Sequence, residues 1–136
     1  MENKRKHLEM IQDVITRMAK NSFLLKGWSV TLTAAIFALA GNKDSPVVLP
    51  LIALLPIIMF WYLDGYFLHQ ERLFRKLYDH VRELPESEVN FSMDTSPFLG
   101  SVDTLSQVIR SNTLKLFHLP IAVLSLVVFI LLLICR

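Results

Sequence analysis

From Val47 to Leu63 the chain runs for seventeen residues without a charge. Continued through Asp64 to Leu68, this run reaches the roughly 20 residues an α-helix needs to cross a ~30 Å hydrocarbon layer. In lipid a backbone must satisfy its own polar groups, so a single run of this kind can only be a helix. Similar runs occupy Phe23–Gly41 and Leu116–Cys135. The chain is therefore expected to be an all-α integral membrane protein with three transmembrane helices, at residues 23–41, 46–68 and 116–135.

The hydrophobic share of 53% is too high for an ordinary soluble domain of 136 residues, and the excess sits in those three blocks. The formal charge of +2 conceals strongly charged segments between nearly uncharged ones, so net charge does not point to a partner. A single cysteine, Cys135, allows no internal disulfide and no cysteine-based metal site. Phe23–Gly41 ends in Ala38-Leu39-Ala40, which looks like a secretory cleavage site. The preceding segment is long and carries Glu9 and Asp13 in a helical pattern, so the run is assigned as a membrane helix.

Residues 1–22 form an N-terminal amphipathic helix, with Leu8, Ile11, Ile15 and Met18 on one face and Asp13 and Arg17 paired on the other. In the first crossing Gly27, Thr31, Ala34, Ala35 and Ala38 give small-xxx-small spacings that let another helix approach closely, so this face should pack on protein. Lys26, Ser29 and Thr33 make a polar stripe at i, i+3 and i+7 that either lines water or bonds to backbone carbonyls. Ser45-Pro46 is a suitable start for the second helix, and Pro56 should kink it.

The second crossing continues into a cytoplasmic helix over residues 69–84, where Phe67, Phe74 and Val81 recur at seven-residue spacing with Leu77 and Leu84 between them. Residues 85–103 form an acidic loop broken by Pro85, Pro97 and Gly100. Residues 104–115 are a further cytoplasmic helix, capped by Asp103 or Thr104 and running on into the third crossing, with a bend expected at Pro120. All of this belongs to a single membrane domain over residues 1–136.

Orientation follows from the basic residues. Twelve Lys and Arg lie before the apolar core of the first crossing, Lys26 included, or between the second and third, whereas only Lys43 and Arg136 lie on the other side. The N-terminus and central segment are thus expected in the cytoplasm and the C-terminus outside a bacterial inner membrane. Trp28, Trp61, Tyr62 and Tyr66 fall at the same inner interface.

No HExxH, G-x-S-x-G, Walker or dinucleotide-binding motif occurs, so no catalytic, cofactor-binding or metal residue is assigned and no enzyme activity is expected. Asp64, His69 and Glu71 do not share a helix face. Lys4, Arg5 and Lys6 are too few for a nucleic-acid footprint. Asp64 is the ionisable residue that stands out, at the predicted depth of Lys26 on the antiparallel neighbour. The two are expected to form an ion pair within the membrane, with a gate or protonatable carboxylate as the functional alternative. Arg72, Arg75, Lys76 and Arg82 are the candidate surface for a cytoplasmic signal or partner.

The words ITRMAKNSFLLKGWSVTLTAAIFALA and FWYLDGYFLHQERLFRKLYDHVR, within residues 11 to 82, resemble small bacterial inner-membrane proteins of antiphage defence loci. The resemblance implies a non-enzymatic effector that disrupts the membrane beside a signalling partner such as a TIR-domain protein or a nucleotide signal. It carries over no site residue. Three helices leave no channel between them, so a permeabilising effector is expected to be a homo-oligomer in the bilayer, with the polar stripe or a ring of Asp64 facing its axis. The alternative is a membrane anchor or regulatory subunit that recruits a soluble enzyme. A small transporter coupled through Asp64 lacks an inverted repeat.

Overall fold

The computed structural model describes every residue from Met1 to Arg136, and it contains no strand. Its elements are α1 (Glu2–Ala40), α2 (Leu49–Ile52), α3 (Leu54–Glu83), α4 (Leu105–Ile109) and α5 (Asn112–Cys135). The helices α1 and α5, and α2 with α3 taken together as Leu49–Glu83, are long and apolar enough to cross a membrane.

The amphipathic segment and the first crossing form one unbroken helix of 39 residues. At 1.5 Å per residue it is about 58 Å long, far more than a bilayer core requires. Its buried residues His7, Ile11, Ile15, Ser22, Ser29, Thr33 and Ala40 follow one another at spacings of four and seven, so one seam runs along the whole helix. Along that seam α1 packs antiparallel on α3, while α5 returns beside them in the direction of α1.

At the charged end the core is Ile11, Ile15, Leu77, Val81 and Val89, with Phe74, Tyr78, Met93 and Phe98 packed around it. The α3 side of this core is Leu77 and Val81, and Phe74 and Leu84 of the same heptad series pack against it. The loop 85–103 lies on this core and holds two short 3-10 turns, Glu86–Glu88 and Ser96–Ser101. Its backbone is braced by local bonds from the Ser92, Asp94 and Ser96 N–H groups to the side chains of Asn90, Ser92 and Asp94. The Lys4 ammonium closes this end by donating to the carbonyls of Arg82 (3.0 Å) and Leu84 (2.6 Å), where α3 runs out of N–H donors for its last carbonyls.

Four expectations are corrected. The second helix starts at Leu49, and Ser45 donates to the Leu39 carbonyl at 2.6 Å instead of capping it. The break near Pro56 falls at Ala53, because proline has no N–H to give the Ile52 carbonyl; regular bonding resumes with Ile57 N–H to Ala53 O at 3.3 Å. Residues 104–115 are not one helix: α4 stops at Ile109, and α5 begins again after Ser111 and passes Pro120 uninterrupted. Thr104 caps α4 in a capping box with Gln107. Finally, no ion pair joins Asp13 to Arg17; Arg5 and Glu9 pair on that face instead, at 3.8 Å.

At the opposite end of the bundle the Arg136 guanidinium donates to the carbonyls of Ala40 (3.0 Å) and Asn42 (2.6 Å), and also to that of Ser45. The end of α5 is thereby tied to the turn between α1 and α2.

Candidate functional site: a buried polar cluster joining three helices

Polarity is inverted in the apolar part of the bundle. Phe23, Trp28, Leu55, Met59, Leu116 and Ile134 are exposed, while Ser22, Ser29, Thr33, Asp64, His118 and Ser125 are buried. Each of these buried residues lies on the inward face of its helix, and together they represent α1, α3 and α5.

Asp64 is the centre, with a side chain 0% exposed. Its Oδ2 receives the Lys26 ammonium at 2.5 Å from α1 and His118 Nε2 at 2.7 Å from α5. The Ser22 hydroxyl donates to Oδ1, and Lys26 Nζ donates to Ser22 Oγ at 2.9 Å. Ser22 and Lys26 are four apart on α1, so both reach one carboxylate. A charge-assisted network of this kind is favourable only while each member remains paired, since an unpaired buried charge costs several kcal/mol.

Aromatic rings enclose the cluster. Trp61 stacks on His118 with centroids 5.8 Å apart and planes 12° off parallel, and Phe117 meets the same ring edge-on at 5.0 Å. The Trp61 indole N–H donates to the Ile109 carbonyl at 2.8 Å, which fixes the stack to the end of α4. Gly65 allows this approach: a Cβ there would lie 2.5 Å from Ile109 Cγ1. Because His118 Nε2 faces a carboxylate, it carries the proton, and Nδ1 is left as an acceptor. That Nδ1 is buried without a partner, as are Ser29 Oγ and Ser125 Oγ.

Lys26 and Asp64 are thus in contact, and they share the site with two residues the sequence did not single out. Ser22 continues the stripe of Lys26, Ser29 and Thr33 one turn towards the charged end. His118 carried a signal too, as the one titratable side chain in Leu116–Ile134. Ser29 and Thr33 are buried, and the Ser29 hydroxyl bonds to no carbonyl; it is Thr31, on the exposed side, that bonds back, to Gly27 O at 2.9 Å.

The small-residue face lies elsewhere than expected within the subunit. Gly27, Thr31, Ala34, Ala35 and Ala38 are exposed, and a Cβ on Gly27 would meet nothing within 4 Å.

The four cations of α3 divide into two groups. Arg72, Arg75 and Lys76 line a groove of about 320 Å³ against Ser101–Asp103, with Arg72 3.5 Å from Asp103 and Arg75 2.8 Å from Glu71. Arg82 faces away, 3.7 Å from Asp79, and borders a separate groove with Met1, Lys4, Arg5 and Leu8. At this end His7 is buried under Phe91, whose ring meets it edge-on at 5.6 Å and whose backbone is left-handed at φ 57°. Burial holds the His7 imidazole below its ordinary pKa, because nothing replaces the lost hydration of the charged form.

No group of three or more His, Cys, Asp or Glu side chains is placed to hold a metal ion. The fold and site define a class only: a three-helix bundle with an apolar exterior and a titratable cluster inside. Comparison with protein-family models, with curated proteins and with solved structures finds no match to this chain.

Proposed function

We propose that the protein is a non-enzymatic effector of the bacterial inner membrane, working as a homo-oligomer that permeabilises or depolarises the membrane when a cytoplasmic signal arrives. The observation that carries this reading is the inverted polarity of the bundle. Apolar side chains cover the membrane-length parts of the three long helices, while Asp64, Lys26, His118 and Ser22 join all three inside. Lipid would satisfy such an exterior, and ionisable groups held inside a membrane bundle mark ion or proton pathways. The N-terminus and residues 69–115 would be cytoplasmic and the C-terminus outside, following the twelve-to-two distribution of Lys and Arg.

The exposed small-residue face of α1 supports assembly, since it would let a second helix approach closely. The resemblance to defence-locus proteins supports the setting, in which a signalling protein or nucleotide acts on the charged end. Expression together with the neighbouring gene, followed by a potential-sensitive dye, tests the proposal. Collapse of the potential is expected, and growth arrest with an intact potential would sink it.

A second reading draws on the charged end. There the loop 85–103 is packed onto a folded helical pair flanked by two basic grooves. As a membrane anchor or regulatory subunit, the protein would retain a soluble enzyme in stoichiometric amount in pull-downs and leave membrane conductance unchanged.

A further inference from the structure

Of five buried side-chain polar atoms without partners, His7 Nε2 and Ser111 Oγ lie outside the apolar crossings, and the other three, Ser29 Oγ, His118 Nδ1 and Ser125 Oγ, lie inside them. Lys26 and His118 meet Asp64 at one depth, and α1 and α5 both run from there towards the end closed by Arg136. At 1.5 Å per residue, Thr33 lies about 10 Å beyond Lys26, and Ser125 the same distance beyond His118, with Ser29 midway. On α3, which runs the other way, Ile57 falls at that depth. Beyond it the interior is apolar, with Ala40, Pro50 and Ala53 buried. The interior thus carries polar side chains over about 10 Å, reaching the surface at Lys26, whose side chain is 22% exposed, and ending at Ile57, Ala53, Pro50 and Ala40.

Buried hydroxyls and an imidazole nitrogen without partners call for water, which needs polar surroundings of this kind. The titratable groups facing it are Lys26 from α1, Asp64 from α3 and His118 from α5.

We propose that the ion this protein passes is the proton, relayed inside each subunit along water at Ser125 and Ser29 to His118 and Asp64, with Ile57 and the alanines beyond it as the gate. This rests on the reading of the protein as a depolarising membrane effector. A proton arriving from the gated side binds His118 Nδ1 and makes an imidazolium. The Nε2 proton then passes to Asp64 Oδ2, leaving neutral imidazole protonated at Nδ1. Asp64 releases its proton to water beside Ser22 and Lys26, and a water-mediated shift of the remaining ring proton from Nδ1 to Nε2 restores the starting tautomer. One proton enters and one leaves. A single file of water carries protons but is too narrow for hydrated ions, and an apolar constriction closes it by dewetting.

The test uses the full chain in vesicles of phosphatidylethanolamine and phosphatidylglycerol loaded with a pH-sensitive dye, with protons driven by a potassium diffusion potential. Ile57→Ser stands in for the opening signal and should raise proton influx by about tenfold or more over the parent chain, by wetting the constriction. Calcein release and potassium leak without ionophore should not rise with it. Adding His118→Gln, which can still donate to Asp64 but cannot relay, should abolish the increase while the unfolding temperature in detergent stays that of Ile57→Ser. Parallel leakage of potassium or calcein would overturn the proton path, as would full flux in the His118→Gln background or no flux from Ile57→Ser. If cells lose their potential although Ile57→Ser vesicles pass no protons, only the relay fails. If cells keep their potential, the effector reading itself fails, and the relay with it.

Discussion

Asp64 receives donors from two other helices, and its consequences are felt first at single residues. Removing its charge leaves the Lys26 ammonium, whose side chain is only 22% exposed, beside a neutral amide. Asp64→Asn should therefore cost about 3 kcal/mol or more, as expected when one partner of a buried pair is removed. Lys26→Met alone should be similarly harmful, and the double variant should recover at least about 1 kcal/mol of the summed loss, since residues in one network do not act additively. Thermal unfolding in detergent measures all three, and strictly additive losses would show that the contact has no energetic weight.

His7 has the opposite sensitivity. Its folded pKa is depressed below 6.5, so the unfolded chain binds a proton that the folded chain refuses. The stability contributed by neutral His7 is complete above pH 6.5 and is lost as pH falls from there towards the folded pKa. Hydrogen exchange of residues 85–103 should accelerate over that range, and His7→Phe should flatten the dependence.

At the scale of elements, the close passage of α3 and α4 depends on the absence of one methyl group. Gly65→Ala would place Cβ against Ile109 Cγ1 and should destabilise by about 1–3 kcal/mol through overpacking. Ile109→Ala in the same chain should return part of that loss, because it removes the obstructing atom; no rescue would mean that the cost lies elsewhere. The short α4 depends on its cap. Thr104→Ala should cost about 1 kcal/mol and speed exchange at Val108 and Ile109 without loosening α5. The expected continuity of 104–115 failed because α4 ends at Ile109, whose carbonyl is taken by the Trp61 indole, and the chain turns at Arg110–Ser111 before α5 begins. The helix of residues 69–84 was legible because its apolar residues recur at helical spacing. Which of them are fully buried was not: Leu77 and Val81 are, together with Leu73, and Phe67 and Phe74 are only partly so, because the rotation of a helix is set by its neighbour.

For the molecule as a whole, Arg136 is a tie between the beginning and end of the apolar bundle. Arg136→Ala leaves the carbonyls of Ala40, Asn42 and Ser45 without that donor and should increase protease access to the turn at residues 41–48, while α1 and α3 stay paired at Ile11, Ile15, Leu77 and Val81. Unchanged cleavage would mean that the turn holds itself through bonds such as Ser45 to Leu39.

By itself the sequence determined that there are three long apolar helices, where the charges interrupt them, and that Lys26 and Asp64 fall at comparable depth. Those are properties of residues counted along one chain, and helical spacing and the ~20-residue crossing length suffice to extract them. Only the tertiary structure decided that His118 and Ser22 complete the site, that the small-residue face of α1 points outward, and that four arginines and lysines belong to two grooves. Each of these depends on how helices rotate and slide against one another. A shift of one residue turns an α-helix by about 100°, enough to carry a side chain from the interior to the surface, and a local pattern does not encode the partner that selects the turn.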